Sequence, residues 1–328
     1  MDLMYLLKME HLSNLNGSDF VHKMPGMSGT FGFLISLSIC TGTFGNFLIM
    51  SSIVTTKTLR NPGNYYILNL CLADFVISGF VGPMNLVGVF AGEIFFVQYP
   101  IFCKTIGAVC LWVCFSSVWS IFGIACCRYI CVVWPQQYSL LFTHNRAIGF
   151  CLVTWVIAFF LTFPNYIGWD GWYFERATRS CLWNRLRSLT YNLCFTLIAV
   201  GLPMITTLGL YIHLFSHVRR SSERISKLDQ NLTSKPENQN FKLAKTLIMV
   251  YIAFLINWGP YVILISADYY NKLSPFWHGL SLIFAHFNSS INTVIYGLSN
   301  ATFRKAYCRI LRIDRLVSKL SQNSTKIT

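Results

Sequence analysis

Seven long apolar segments dominate this sequence, and they restrict its possible folds more than any other feature. They occupy residues 29–55, 64–91, 100–134, 146–168, 189–217, 241–268 and 275–298. Each one exceeds the roughly 20 residues that an α-helix needs to cross a bilayer. Because backbone polar groups cannot stay unpaired in hydrocarbon, each segment must be helical. The sequence therefore predicts an all-α membrane protein, built as a bundle of seven transmembrane helices.

The charged residues support this class and exclude nucleic acid as a partner. Only 12% of the 328 residues are charged, whereas soluble proteins carry about 25%. The net charge of +14 is spread over the loops between the apolar segments and does not form one basic domain. Basic loops are typical of the cytoplasmic side of a membrane, where anionic lipid attracts them. Membrane lipid is therefore an expected partner.

The same residues predict the orientation of the chain. Most lysines and arginines lie in residues 219–245 and 301–328, so these parts are expected in the cytoplasm of a plasma-membrane protein whose N-terminus is outside. Asn16, in an Asn-Gly-Ser sequon, is then a candidate glycosylation site. The predicted organisation is an extracellular N-terminus at 1–28, a transmembrane domain at 29–300, a membrane-surface helix at 301–313 and a cytoplasmic tail at 314–328.

The segment after the last apolar run predicts a short eighth helix. Residues 301–313, ATFRKAYCRILRI, alternate basic and apolar residues at helical spacing. Such a basic amphipathic helix lies on the inner leaflet, with its apolar face in the membrane. Cys308 within it is a candidate for palmitoylation, although one juxtamembrane cysteine is a weak signal.

Three polar residues inside the apolar segments predict a buried network. Asp74 lies near the middle of the second segment, with Asn46 in the first and Asn292 in the seventh as candidate partners. A buried carboxylate is costly in a membrane, so it should face the interior and hold water, an ion or a partner. The alternative is that the three residues only hold helices together. No cofactor is expected, apart from a candidate structural sodium ion near Asp74.

Arg128 ends the third apolar segment and admits two interpretations. An arginine at that depth is either a functional residue or a surface anchor that extends to the lipid headgroups. Its neighbours form the triplet Cys127-Arg128-Tyr129 within SSVWSIFGIACCRYICVVWP, residues 116–135.

These marks together resemble the rhodopsin-like G-protein-coupled receptors. The resemblance is carried by Gly45-Asn46, Leu72-Ala73-Asp74, Cys127-Arg128-Tyr129, Trp155, Pro203, Tyr211, Trp258-Gly259-Pro260 and the NTVIY run at 292–296. Two departures stand out: the triplet lacks the family's acid, and Thr293 replaces the proline of the family's last motif. The resemblance implies activation and G-protein-coupling roles for Asn46, Asp74, Arg128, Tyr129, Tyr211, Asn292 and Tyr296.

The resemblance also implies a disulfide bond between Cys103 and Cys181. Under the predicted topology both cysteines are extracellular, where disulfides persist. The bridge would hold the second outer loop as a lid over a ligand pocket. The alternative is a pair of free thiols.

Two positions restrict the ligand of such a receptor. Cys110 stands where amine receptors carry an aspartate, so an amine ligand is not expected. His286 stands where opsins carry the retinal lysine, so a Schiff-base photoreceptor is not expected.

Four stretches are similar to melatonin receptors: LRNPGN at 59–64, SIFGIACCRYICVV at 120–133, FPN at 163–165 and HFNSSINTVIYGLSNATFRKAY at 286–307. That similarity implies that Asn165 hydrogen-bonds the ligand and that Trp183 stacks on an indole ring. Arg185 stands where the family has a glutamine, and Ala199 where it has a histidine. An arginine suits an anionic group, so the ligand is expected to be indole-type or anionic. The candidate ligand-binding residues are Cys110, Asn165, Trp183, Arg185, Trp258 and His286.

The expected function is therefore a melatonin-receptor-like G-protein-coupled receptor. It would transmit an extracellular small-molecule signal to a heterotrimeric G protein of the cyclic-AMP-lowering class, with raised basal activity because the acid beside Arg128 is missing. Two alternatives stay open: a ligand-less or constitutively active protein that modulates other receptors, and a non-photoreceptive relative of the opsins. No enzyme is expected, because no acid pair, Ser–His pair or metal-ligand set is visible.

Overall fold

The computed structural model describes residues 17–167, 171–185, 193, 196–228, 239–268 and 272–313. The candidate glycosylation site Asn16 and the predicted tail at 314–328 lie outside these residues.

Within the described residues, seven long helices and a short eighth helix form the bundle. They are α1 (Pro25–Thr55), α2 (Pro62–Phe90), α3 (Pro100–Val133), α4 (His144–Tyr166), α5 (a π turn at Leu197–Gly201 followed by Leu202–Leu228), α6 (Gln239–Ala267), α7 (Pro275–Ser299) and α8 (Ala301–Ile310). Shorter helices span Gly17–Lys23, Gly92–Gln98 and Pro135–Leu141, and a 3-10 turn spans Lys57–Leu59. The strands β1 (Trp172–Glu175) and β2 (Ser180–Trp183) form one antiparallel hairpin. The predicted seven-helix architecture with a short eighth helix is confirmed.

The helices from α1 to α6 are long and apolar enough to cross a membrane. Helix α7 is less apolar because the side it buries in the bundle is polar, and includes His286, Asn288, Ser289 and Asn292. In hydrocarbon such side chains need protein partners. The polar side of α7 therefore points toward the neighbouring helices and not toward lipid.

Local sequence signals explain where the helices begin. Proline occupies the first turn of α1, α2, α3 and α7, where its missing N–H is not needed and its fixed φ suits the helix. Side-chain caps start α2, α4, α7 and α8: their oxygens accept backbone N–H groups that have no helical partner. The capping residues are Asn61, Thr143, Ser274 and Asn300.

The internal prolines distort their helices in two ways. Pro83 and Pro203 each follow a wider π turn, at Ile77–Val81 and Leu197–Gly201, because proline cannot donate the N–H that a regular turn requires. Pro164 and Pro260 lie inside α4 and α6 without such a turn.

Helix α3 runs through the middle of the bundle and contacts α2, α4, α5 and α6 as well as both strands. The hairpin packs closely against it at one end, which we call the disulfide end. Cys181 of β2 is bonded to Cys103 of α3, which confirms the predicted disulfide. A side chain at Gly107 would lie 2.6 Å from the Trp172 ring, and one at Gly88 of α2 would lie 2.0 Å from the Arg179 carbonyl oxygen. These two glycines therefore permit the hairpin to sit deep between the helices.

The opposite end of the bundle, which we call the α8 end, is closed by aromatic packing. Phe303 of α8 is fully buried, and its ring lies 5.4 Å from that of Tyr296 and 6.2 Å from that of Tyr307. The helix ends at Ile310, three residues earlier than the predicted 301–313 segment, and Leu311 is exposed. The reason is the left-handed conformation of Arg312, whose φ is 57°.

Candidate functional site

Asp74 forms the centre of a buried polar cluster between α2, α3 and α7. Its side chain is only 1% exposed. Asn292 donates from Nδ2 to Oδ2 at 2.7 Å, Ser289 donates to Oδ1 at 3.1 Å, and Ser117 lies at 3.5 Å from Oδ1. Charge-assisted hydrogen bonds of this kind offset the cost of burying a carboxylate. Sequence reasoning predicted the partnership with Asn292 and missed both serines, because serine is common in apolar helices.

Asn46 joins this cluster indirectly. Its Nδ2 donates to the carbonyl oxygens of Gly42 at 2.9 Å and Ser289 at 2.7 Å, so Ser289 links it to Asp74. Several buried side-chain oxygens around the cluster accept no hydrogen bond within the described part of the chain, namely Asn46 Oδ1, Asn288 Oδ1 and Asn292 Oδ1. Buried oxygens of this kind can each accept a hydrogen bond from water or bind a cation.

Arg128 lies toward the α8 end, half-buried against the start of α2. Its guanidinium nitrogen would be 3.0 Å from a Cβ added to Gly63. The carboxylates whose side chains are described are Asp74 in the centre and Glu93, Glu175 and Asp268 at the disulfide end. Among the described residues, Arg128 therefore has no carboxylate partner at its end of the bundle.

The tyrosines that the sequence predicts near Arg128 are brought together there. Tyr211 and Tyr296 are buried in one core cluster, and both lie within electrostatic range of Arg128. Tyr129 packs against that cluster, with its ring 5.5 Å from His213. The Tyr296 hydroxyl is buried and has no hydrogen-bond partner among the described residues.

Cys110 and His286 meet between α3 and α7. Cys110 Sγ lies 3.9 Å from His286 Nε2, and Asn85 Nδ2 of α2 lies 3.2 Å from His286 Nδ1. All three are buried, at 8%, 9% and 5% exposure. Sequence reasoning placed Cys110 and His286 in one pocket but missed Asn85, although a lone polar residue in the apolar run around Pro83 was a usable signal.

Trp258 connects the two halves of the core. Its ring lies 5.9 Å from that of Phe254 and 6.1 Å from that of Tyr261. It packs against the core cluster at the α8 end and also against the clusters that contain Cys110 and Leu182. A movement of the Trp258 side chain would therefore change the packing at both ends of the bundle.

The hairpin fills much of the space in which the sequence predicts a ligand. Trp183 packs against the α3–α4–α5 cluster around Phe115 and Ala199, and also against Tyr261 of α6. Arg185 is 8% exposed and donates from its guanidinium to the Ile265 carbonyl oxygen at 3.0 Å. The cavity beside Trp183 and Arg185 measures only about 10 Å³, about the space of one water molecule.

Asn165 lies apart from the other predicted ligand residues. It lines a cleft of about 460 Å³ between α3, α4 and the hairpin, together with Lys104, Tyr166 and Trp172. Its amide nitrogen and oxygen are buried, and neither has a partner among the described residues. A ligand in this cleft could pair with both atoms.

The ends of α6 and α7 are joined by a buried Asp–His pair that sequence reasoning missed. Asp268 Oδ2 lies 2.8 Å from His278 Nε2, and the Asp268 carboxylate also accepts the backbone N–H groups of Lys272 and Leu273. Burial raises the pKa of Asp268, but these hydrogen bonds outweigh burial and hold the pKa below its ordinary value. The carboxylate thus closes the turn between the two helices.

We expect replacement of Asp268 by asparagine to destabilise the protein in a pH-dependent manner. The folded-state pKa lies below the unfolded value of about 3.9. The carboxylate therefore stabilises the fold above that pH, and this stabilisation is lost as the pH falls through the folded-state pKa. Thermal unfolding of the detergent-solubilised protein should show a clear difference between wild type and Asp268→Asn at pH 5 that narrows below about pH 4. Glu93→Gln, which breaks a partly exposed pair with Arg176, is the control and should have little effect at any pH. A difference that stays constant down to pH 3 would contradict the assignment.

No group of three or more His, Cys, Asp or Glu side chains is arranged to hold a metal ion in the part of the chain that the structure describes.

The sequence matches known receptors over most of its length. It is 27% identical to melatonin receptor type 1A of Phodopus sungorus over 293 residues, which cover 87% of this chain and 81% of that protein. It is 24% identical to Melanopsin-A of Danio rerio over 88% of this chain, and it spans 50% of the length of that relative. The crystal structure of squid rhodopsin superposes with a TM-score of 0.73, covering 88% of this chain and 86% of that chain at 21% identity, and so has the same fold.

The profile of the family described as 7 transmembrane receptor (rhodopsin family) matches residues 45–296, well over half of the chain. This match includes the polar cluster, Arg128 and the hairpin. The protein is therefore a multi-pass membrane receptor, not an enzyme, and it belongs to the rhodopsin family of seven-transmembrane receptors.

Proposed function

We propose that this receptor resides in the plasma membrane and transmits a small-molecule signal to a heterotrimeric G protein of the cyclic-AMP-lowering class. The observation that carries the proposal is the continuous packing from the Cys110–His286 pocket, through Trp258, to the core cluster of Tyr211 and Tyr296 beside Arg128. A ligand that favours one arrangement of Trp258 would shift the population of states at the α8 end.

The proposed orientation places the disulfide end outside the cell and α8 inside. The basic residues support it: Arg304, Lys305 and Arg309 lie on the ten-residue helix α8. An excess of Lys and Arg marks the cytoplasmic side. In this orientation Asn16 is available for glycosylation, and the half-buried Cys308 lies beside the inner leaflet, where palmitoylation occurs.

Asp74 and its neighbours fit a sodium ion. A hard cation takes oxygen ligands, and Asp74, Ser117 and Ser289 offer a carboxylate and two hydroxyls, with the orphaned amide oxygens of Asn46 and Asn292 nearby. A bound sodium ion would neutralise the buried charge of Asp74. These residues would then hold α2, α3 and α7 in one arrangement, while Asn292 could keep donating from Nδ2 to Asp74.

The pocket favours an uncharged aromatic ligand over an anionic one. Trp183 and Trp258 offer aromatic faces close to Tyr261, and rings of this kind stack on an indole. Arg185, which the sequence offers for an anion, already donates to the Ile265 carbonyl oxygen. Since relatives include melatonin receptors, melatonin is the first ligand to test, with an indole-3-carboxylate as the anionic comparison.

A second candidate function is signalling without a diffusible ligand. The hairpin side chains Leu182 and Trp183 already pack on Tyr261, Leu282 and Ala285 in the place predicted for a ligand. Such a protein would be constitutively active or would modulate another receptor. A non-photoreceptive opsin relationship is compatible with the Melanopsin-A similarity, and His286 rules out a lysine Schiff base at that position.

We expect raised basal lowering of cyclic AMP in cells expressing this receptor, and a further saturable fall with melatonin. The reason is that none of the carboxylates whose side chains the structure describes lies beside Arg128, and its neighbour in the sequence is Cys127. Arg128→Ala should abolish both signals, whereas Cys127→Asp, which supplies an acid beside Arg128, should lower the basal signal several-fold and leave the melatonin response. Surface expression of each variant is measured in the same cells.

Each outcome separates the candidates. Basal signalling without a melatonin response would favour the ligand-less receptor. No difference between wild type and Arg128→Ala at equal surface expression would overturn direct G-protein coupling.

A further inference from the structure

The buried set of Cys110, His286 and Asn85 has the arrangement of a nucleophile, a base and a group that positions the base. The thiol of Cys110 lies 3.9 Å from His286 Nε2, and His286 Nδ1 lies 3.2 Å from the Asn85 amide. The three residues come from α3, α7 and α2, so the bundle itself assembles them. A cysteine beside an imidazole that is oriented by a third side chain is the general pattern of an activated nucleophile.

We propose that Cys110 is a nucleophile that captures a small, apolar α,β-unsaturated carbonyl compound, with His286 as its base and Asn85 as a positioning residue. This proposal rests on the proposed function, since it names the ligand class of the same pocket. The apolar character follows from the surroundings, because Cys110 belongs to a core cluster with Ile77, Val81 and Ile106. The carbonyl class follows from the soft sulfur atom, which prefers an electrophilic carbon.

The chemical step balances without any further reactant. The Cys110 Sγ–H bond breaks as its proton moves to His286 Nε2, and sulfur forms a bond to the β-carbon of the ligand. The electron pair of the C=C bond moves toward the carbonyl, and the imidazolium then returns the proton to the α-carbon. The product is a thioether; nothing is oxidised or reduced, and no group leaves.

Asn85 accounts for the orientation of the base. Asn85 Nδ2 faces His286 Nδ1 in the structure, and half a turn of the amide about its last bond brings its oxygen there instead. With the oxygen accepting from Nδ1–H, Nε2 is left unprotonated and can take the proton of Cys110. The neighbouring titratable groups are Cys114 on the same helix, Tyr261 of α6 and, through Cys114, Asp74 of α2. Because the pair is buried, its attraction is screened less than it would be at the surface.

Cys151 provides a matched control. Cys151 is 8% exposed, the same as Cys110, but among the described residues its sulfur has no histidine within hydrogen-bonding distance, whereas that of Cys110 has His286. Any difference in their reactivity therefore reflects surroundings rather than access.

The test is alkylation of the purified full-length receptor by N-ethylmaleimide in the presence of a chelator. N-ethylmaleimide is itself an α,β-unsaturated carbonyl compound. Peptide mass spectrometry follows each cysteine from pH 5 to pH 9. We expect Cys110 to react at least tenfold faster than Cys151 at pH 7. It should also stay reactive at pH values where an ordinary thiol, whose pKa is about 8.5, no longer reacts. His286→Gln should reduce the Cys110 rate at least tenfold and give it the pH profile of an ordinary thiol. Asn85→Ala should reduce it several-fold.

An unchanged Cys151 rate in each variant shows that the fold is intact. Equal rates at Cys110 and Cys151, or a Cys110 rate that His286→Gln leaves unchanged, would overturn the proposal. Labelling needs no G protein, so the two proposals can fail separately. Selective reaction of Cys110 with no cyclic-AMP signal would refute the proposed function alone. A cyclic-AMP signal without selective reaction of Cys110 would refute the covalent site alone.

Discussion

Replacing Cys103 by serine is expected to lower the free energy of unfolding by about 2–5 kcal/mol, because disulfides that close long loops stabilise by roughly this amount. The bridge to Cys181 spans 78 residues of sequence. It also anchors a hairpin that packs on α3 and buries Phe174 and Leu182. Without it, the hairpin should leave the bundle far more often and expose the pocket. Thermal unfolding of the detergent-solubilised receptor measures the change, and surface expression should fall with it.

Two further variants show whether the bridge itself is responsible. Cys40→Ser removes an exposed free cysteine and should leave the unfolding temperature unchanged. The double variant Cys103→Ser/Cys181→Ser should be as unstable as the single one, since both lack the same bond. If Cys103→Ser unfolds at the temperature of Cys40→Ser, the hairpin is held by packing alone.

Replacing Asn292 by aspartate should destabilise the receptor by about 3–5 kcal/mol, the usual cost of removing a partner and leaving a buried charge uncompensated. The Asn292 amide nitrogen lies 2.7 Å from Asp74 Oδ2, so the variant places two buried carboxylates in contact. The amide donor is lost, and the two like charges repel unless one carboxyl group takes up a proton. Chemical or thermal unfolding in detergent measures the effect.

The reciprocal exchange provides the decisive comparison. Asp74→Asn combined with Asn292→Asp restores one carboxylate and one amide across the same distance, so most of the lost stability should return. A double variant no more stable than Asn292→Asp would show that Ser289 and Ser117, which donate to the original carboxylate, matter more than the pair itself.

The position of the hairpin bears on both candidate functions, a receptor for a diffusible ligand and a receptor that signals without one. Melatonin-receptor similarity leads to a pocket for an indole, whereas the structure shows Trp183 and Leu182 already packed on Tyr261 of α6 and Leu282 of α7. A diffusible ligand must therefore displace part of the hairpin or use the separate cleft at Asn165. The Cys103→Ser variant tests this directly, because loosening the hairpin should strengthen binding of a ligand that has to displace it and should weaken a signal that the hairpin itself produces.

Much of the architecture follows from the sequence alone. Apolar segments longer than the bilayer thickness must be helical, and proline and capping residues such as Asn61 and Ser274 locate their beginnings. Asp74 and Asn292 were recognisable as partners because polar residues in hydrocarbon must find each other. The absence of an acid beside Arg128 and the pairing of Cys103 with Cys181 were visible through resemblance to known receptors.

The tertiary structure decided which side chains meet across the bundle. Asn85 and His286 are 201 residues apart in sequence, Cys110 and His286 are 176 apart, and Ser289 and Asp74 are 215 apart. Such contacts depend on the rotation and tilt of each helix, which packing against neighbours sets and which no local pattern encodes. The depth of the hairpin depends likewise on close backbone approach at Gly88 and Gly107. Local physics thus determined the helices of this receptor, whereas long-range packing determined the chemistry of its pocket.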